Sequence, residues 1–223
     1  MSTIGSLTLS GPHVSALETG TQFAERVGAR AVSGYGPLSV PHELAPLFPA
    51  RGLERGFVYG ISGGASLSLL SALASSATQA GSWLALVNMA HVGLLSMHEY
   101  GVALHRTVCV STPEKGSVWA GVVGALVDGV DLVAVSATHC SPAEARRIAA
   151  RVKAQGSVLF VVNATQVFSF DAVLSASVHE WEFSTHAVQR SVRVSAHGRR
   201  VHGQRSCSVL LPNRSGAVSA GDV

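Results

Sequence analysis

The run Tyr59-Gly60-Ile61-Ser62-Gly63-Gly64-Ala65-Ser66-Leu67-Ser68 follows a short apolar stretch and leads into a helical pattern. Strand, glycine-rich turn and helix in that order form a setting in which backbone N–H groups and a helix N-terminus hold a phosphate. Nucleotide chemistry needs more, namely G-x-x-x-x-G-K-[ST], whose lysine neutralises the β/γ-phosphates and whose hydroxyl holds Mg²⁺. No lysine precedes Lys115, and Ala65 or Ser66, depending on register, stands in its place. An acid expected at the end of the fourth strand is replaced by Ser136, after Asp131-Leu132-Val133-Ala134-Val135. The acid expected after the second strand is also missing, because Val87 is followed by Asn88, Met89, Ala90 and His91. Phosphoryl transfer is almost wholly positioning and charge stabilisation. Neutral residues at Asn88, Ala90 and Ser136 and a lysine-free loop therefore predict a nucleotide-binding fold without nucleotide chemistry. Gly60, Ser62, Gly63, Gly64, Ala65 and Ser66 become a degenerate phosphate loop, able at most to hold a phosphate weakly through its amides. No catalytic residue and no cofactor are expected.

Other residue types offer less. His98, His105, His139, His179, His186, His197 and His202 are scattered, without an HxxxH or HExxH pair on an expected helix, so no metal site is expected. Cys109, Cys140 and Cys207 are odd in number, far apart and without a CxxC, which argues against a disulfide framework. The adjacent pair His139-Cys140 follows the fourth strand, but neighbouring residues rarely face one another as a catalytic pair must. Ser62 and Ser66 lack the G-x-S-x-G elbow of a hydrolase. Trp83, Trp119 and Trp181 read as core residues, Trp181 least so because Glu180 and Glu182 flank it.

Charge is uneven. Ten Lys/Arg face twelve Asp/Glu up to Phe183, whereas from Ser184 onward there are six Arg and one acid, Asp222. The formal net charge of +3 thus hides a basic C-terminal segment on a slightly acidic body. Arg190, Arg193, Arg199, Arg200 and Arg205 are the candidates for contact with DNA or a partner. Clustered arginines pair phosphates bidentately, and they equally dock an acidic protein surface. Arg193, between Val192 and Val194, would face away from the core on a strand. With no groove-reading or stacking motif, DNA binding would be salt-sensitive and sequence-independent.

The elements that position these residues follow from the apolar pattern. In 223 residues of mean hydropathy +0.34, 47% are hydrophobic and 13% charged, enough to bury a large core and to exclude overall disorder. No apolar run reaches the ~18 residues of a membrane helix, and the start lacks the pattern of a secretory signal. A soluble, cytoplasmic protein is expected. Strand-like runs at Phe57–Tyr59, Trp83–Val87, Thr107–Val110, Leu132–Val135 and Val158–Val162 alternate with helical patterns at Ser66–Ala80, Gly93–Tyr100, Ser117–Val127 and Pro142–Gln155. Apolar strands separated by helices predict an α/β fold, a mostly parallel sheet with helices on both faces. Ser141, Pro142 and Glu144 predict a capping box for the last helix, and Gly156 its left-handed stop. Alternation in 191–194 and again in 206–211, with His197-Gly198 between, predicts antiparallel strands added at the C-terminal end. The divisions are 1–46, an amphipathic helix (Val14, Leu17, Phe23, Val27) and a Gly/Pro-rich connector; 47–165, the core; 166–212, a β extension with a basic hairpin; and 213–223, a flexible tail.

At this point the residues carry a resemblance. The loop at Gly60–Ser68, the run Leu86–His91 and the strand Asp131–Ser136 fall in the order of the ATPase core of the RecA recombinase family, each departing at its charged residue. The segments Ala80–Val87, Leu126–Val133 and Ser141–Arg147, with the ending Val209-Leu210-Leu211-Pro212, resemble the ImuA′ family of small RecA-like accessory proteins from actinobacterial mutagenesis cassettes. The resemblance covers about residues 47–212. It implies a RecA-like sheet and a role in DNA-damage-induced mutagenesis. The implied partners are ImuB, a Y-family polymerase homologue lacking catalytic residues, and through it an error-prone C-family polymerase subunit, with single-stranded DNA as a further candidate. Two other readings stay open: a residual RecA-type ATPase, and a SulA-like cell-division inhibitor.

Overall fold

The computed structural model describes residues 36–113, 117–136, 140–163, 167–183 and 187–221. The helix expected within 14–27, and His139 of the His139-Cys140 pair, lie outside them. One nine-stranded sheet organises the described residues: β1 (Val58–Ser62), β2 (Leu84–Val87), β3 (Thr107–Val110), β4 (Leu132–Ser136), β5 (Val158–Val162), β6 (Ala172–Phe183), β7 (Ala187–His197), β8 (Arg205–Leu210) and β9 (Ser219–Ala220). Their order is β3-β2-β4-β5-β1-β6-β7-β8-β9. Pairings from β3 across to β6 are parallel, and those from β6 to β9 are antiparallel. The fold is thus α/β with antiparallel strands at the C-terminal end.

Strands β2 and β5 are buried at every position and β1 and β4 at all but their last, as near-continuous apolar runs require when helices cover both faces. On one face lie α1 (Ser66–Gln79) and α2 (Leu94–Glu99), with Leu44, Leu47 and Leu53 from the segment before β1. On the other lie α3 (Ser117–Gly129) and α4 (Pro142–Gln155), whose Trp119, Val123, Ile148 and Val152 pack on Val133, Leu159 and Val161. Helix α1 carries no charge and buries most of its circumference. Its hydroxyls make this tolerable by bonding back to helix carbonyls, Ser71 to Leu67, Ser75 to Ala72 and Thr78 to Ala74. Helix α4 begins with the expected capping box: Glu144 N–H donates to Ser141 Oγ, and Ser141 N–H donates to the Glu144 carboxylate at 2.9 Å. It ends at Gly156, with φ +70°.

Two regions differ from the sequence reading. Strand β6, whose small and polar residues disguise it, pairs parallel to β1 before turning into the antiparallel β7. Residues 213–223 were expected to be a flexible tail. Instead Asn213 Oδ1 accepts hydrogen bonds from Ser215 and from the Ala217 N–H, a side-chain-nucleated turn, and β9 returns onto β8. Among the described residues no helix is long and apolar enough to cross a membrane.

Candidate functional site at the carboxyl end of the sheet

In open α/β sheets, ligands gather at the carboxyl ends of the strands. Here the residues at or just past those ends on β2, β4, β5 and β1 are Asn88, Ser136, Asn163 and Ser62, all neutral, and Ser175 of β6 pairs with Ser62. Ser62 Oγ and Ser175 Oγ share a hydrogen bond of 3.1 Å, which joins β1 to β6 where the loop begins. Asn88 adopts φ +54°, a left-handed conformation that asparagine tolerates. Its side-chain oxygen accepts from Thr112 N–H at 2.8 Å, and its amide nitrogen donates to Thr112 Oγ1 at 3.2 Å. The place of an acid is therefore taken by a clamp between the ends of β2 and β3. Ala90 is exposed, and Ser136 is paired with Val162 on β5.

The loop between β1 and α1 consists of Gly63, Gly64 and Ala65. Gly63 has φ +98°, and a Cβ there would lie 2.2 Å from the Ala176 carbonyl oxygen. The turn is pressed against β6 so closely that only glycine fits. Gly64 is different, since a Cβ there would meet only Val178 Cγ2, at 3.7 Å. Ser66 N–H donates to Gly63 O at 3.2 Å and closes the turn. Ala65 and Ser66, the alternative positions of the lysine, are both buried. Gly60 lies within β1, paired with Val161 and Val173.

A cation does approach this loop, from β7 rather than from α1. Arg190, 7% exposed, donates through Nε to Leu211 O and through Nη2 to Ser68 Oγ, each at 2.7 Å. Its guanidinium stacks 4.8 Å from the centre of the Trp181 ring and also meets the Tyr100 hydroxyl. Burial pulls the arginine below its ordinary pKa and pushes Tyr100 up, while the contact between them works against both shifts. Arg190 is thus a tie holding β7 and the chain after β8 to α1.

The other four arginines separate. Arg193 is exposed between buried Val192 and Val194, as alternation predicts. Arg199 pairs with Asp171 at 3.1 Å and donates to Phe170 O; Arg200 stacks on Phe57; Arg205 donates to Pro46 O. These three sit at the amino end of the parallel strands, where Asp171 also accepts from Val58 N–H at the start of β1. Nine residues of extended chain at ~3.4 Å each separate Arg190 from Arg199, so the five form no single cluster. Among the described residues, no group of three or more His, Cys, Asp or Glu is arranged to hold a metal.

Sequence reading placed all three tryptophans in the core. Trp119 is buried and Trp83 half-buried, but Trp181 is 41% exposed and stacks on Phe183, itself 66% exposed, with ring centres 5.7 Å apart. Alternation in Glu180-Trp181-Glu182-Phe183 carries the signal, since it sets the two rings on one face of an extended strand. Asn163, Ser175 and Tyr100 were also missed, none belonging to a recognisable motif.

Residues 46–167 match the family model described as the MT3502 N-terminal domain, a stretch that contains β1 to β5 with α1 to α4. No curated protein matches the sequence.

Proposed function

The chain belongs to the MT3502 N-terminal domain family, and on that premise we propose that it is a non-catalytic, RecA-like accessory factor of ImuA′ type. It serves an error-prone translesion-synthesis complex in the cytoplasm and acts in DNA-damage-induced mutagenesis through protein contacts. Its direct partner is an ImuB-type polymerase homologue, which links it to a C-family polymerase subunit. The observation that carries this reading is the neutral carboxyl end of the sheet, where Asn88, Ser136, Asn163 and Ser62 occupy the ground on which a nucleotide enzyme needs charge. Asn88 supports it further, because its amide is committed to Thr112. The tie made by Arg190 to Leu211 and Ser68 turns the nearest cation into a structural group. Among the candidate arginines, any contact with single-stranded DNA falls to Arg193, Arg200 and the exposed part of Arg199, which favours weak, salt-sensitive binding. Co-expression with an ImuB-type protein tests the reading: a complex that survives purification is expected, and its absence overturns the assignment.

A further inference from the structure

Helices α1 and α4 match their charge to their exposure. Helix α1 has no charge and is buried around most of its circumference, while α4 carries five charged residues beside a buried stripe of Ala145, Ile148 and Val152. Helix α3 departs from this rule. Its thirteen residues hold one charge, Asp128, yet one side of it is open to water. Val118 is 54% exposed, Gly121 is exposed, and Val122 and Ala125 are half-buried. Their spacing of i, i+3, i+4 and i+7 makes them a single apolar face. Beside it a cavity of about 270 Å³ opens between α3 and α4, walled by Gly121, Gly124, Glu144, Arg147, Ile148 and Arg151. Nothing lies within 4 Å of the place where a Cβ on Gly121 would stand, so the middle of the face is a hole.

The charges around the cavity cancel among themselves. Arg151 holds Asp128 in an ion pair, Ser141 donates to the Glu144 carboxylate, and Arg147 stands close enough to Glu144 to help keep it ionised. A strongly acidic or basic occupant would find no matching field here. A second copy of the chain brings what the surface lacks, an uncharged apolar face inside a balanced rim. Shape agrees with a two-fold axis. With two α3 helices antiparallel and Gly121 and Val122 at the centre, Val122 of each copy enters the hole over Gly121 of the other. Val118 of each then lies over Ala125 of the other. We propose that the apolar face of α3, with the groove beside α4, is the interface of a symmetric homodimer. Two helices of about 20 Å make a small contact, so the association is of micromolar strength. Trp181 rests on Arg190, which reaches α1 on the other side of the sheet, so the aromatic pair stays open in the dimer. The proposal goes beyond the accessory-factor reading and does not depend on it.

The test is sedimentation velocity of the full chain from about 1 to about 100 µM, the range in which a small interface associates. The mass is expected to rise reversibly from 23.0 kDa toward twice that value. Val118→Lys sets a charge into the apolar face, and Gly121→Gln fills the hole. Each should raise the dimer Kd by about tenfold or more, with an unchanged circular dichroism spectrum. In dilute, monomeric protein Gly121→Gln should raise the melting temperature, because its side chain starts in open space and glutamine favours a helix over glycine. The double variant Trp181→Ala/Phe183→Ala should leave the Kd unchanged. A monomer across the whole range overturns the proposal. So does a dimer that either α3 variant leaves intact, or one that loss of the two aromatics weakens as much. A monomer that Gly121→Gln destabilises would give the groove to residues 14–27 of the same chain, and it too overturns the second copy as occupant. Co-purification with the polymerase homologue decides the accessory-factor reading separately, so either can fail alone.

Discussion

The two ends of the parallel sheet are built from opposite materials. At the amino end, carboxylates join neighbouring strands: Asp131 accepts from Arg55 at 3.0 Å and from Trp83 N–H at 3.3 Å, and Asp171 accepts from Val58 N–H and Arg199. At the carboxyl end the residues at or just past the termini of β1, β2, β4 and β5 are serine and asparagine, with Ser62 bonded to Ser175 and Asn88 to Thr112. Charge lies where it closes the fold and is missing where a nucleotide would need it. The contrast separates the groups that hold this molecule together from the surface it offers.

The contrast can be broken most severely at Gly63. Gly63→Ala forces a Cβ to 2.2 Å from a β6 carbonyl at a positive φ, and should cost about 3 kcal/mol or more in denaturant unfolding. Gly64→Ala, one residue on, should change stability by less than ~0.5 kcal/mol, because the added methyl meets only ordinary contact. Equal effects at the two glycines would show that the turn is not pressed against β6. At the amino end, Asp131→Ala removes the carboxylate that accepts from both Arg55 and the Trp83 N–H and should cost about 2 kcal/mol. Arg199→Ala removes a partner whose side chain is 63% exposed and should cost less than ~1 kcal/mol.

Smaller effects sharpen the outline. Ser141→Ala removes the hydroxyl of the α4 capping box and should cost about 1 kcal/mol. The bonds from Ser141 hold Glu144 below its ordinary carboxylate value of 4.5. Their contribution is therefore complete above that value and fades as pH falls through the lowered one. In the Ser141→Ala protein this acid-side loss should shrink, which unfolding at a series of acidic pH values would read. Among the thiols, burial pushes Cys140 and Cys207 up to about 11, whereas Cys109 is exposed on the edge strand β3. Iodoacetamide at mildly alkaline pH should modify Cys109 first, as mass spectrometry of the digested protein would show.

Much of the parallel half was legible because buried strands write themselves as unbroken apolar runs, as in Val158–Val162, and because Ser141, Glu144 and Gly156 spell out helix ends. Strand β6 was not. Its Ala172–Val178 portion mixes small and polar residues, and its parallel partner β1 lies more than a hundred residues earlier, beyond any local pattern. The neutral loop and the missing acids were visible in residue types alone. What Asn88 does instead depends on Thr112, a contact no spacing rule supplies. The surroundings of the arginines were illegible for a related reason: charge count records how many there are, whereas Arg190 is buried by tertiary contacts and Arg199 is paired with Asp171 from a distant stretch of chain.

The most direct test of the central claim is a calorimetric titration of the full chain with ATP and Mg²⁺, paired with thermal unfolding at the same concentrations. A ligand at about a hundred times its Kd adds ~2.7 kcal/mol to stability, so binding could not pass unnoticed. The neutral carboxyl end predicts no saturable heat and an unmoved melting temperature. Saturable binding with a rise in melting temperature would contradict it, and would mean that the amides of Gly63, Gly64 and the first turn of α1 hold a nucleotide without a lysine.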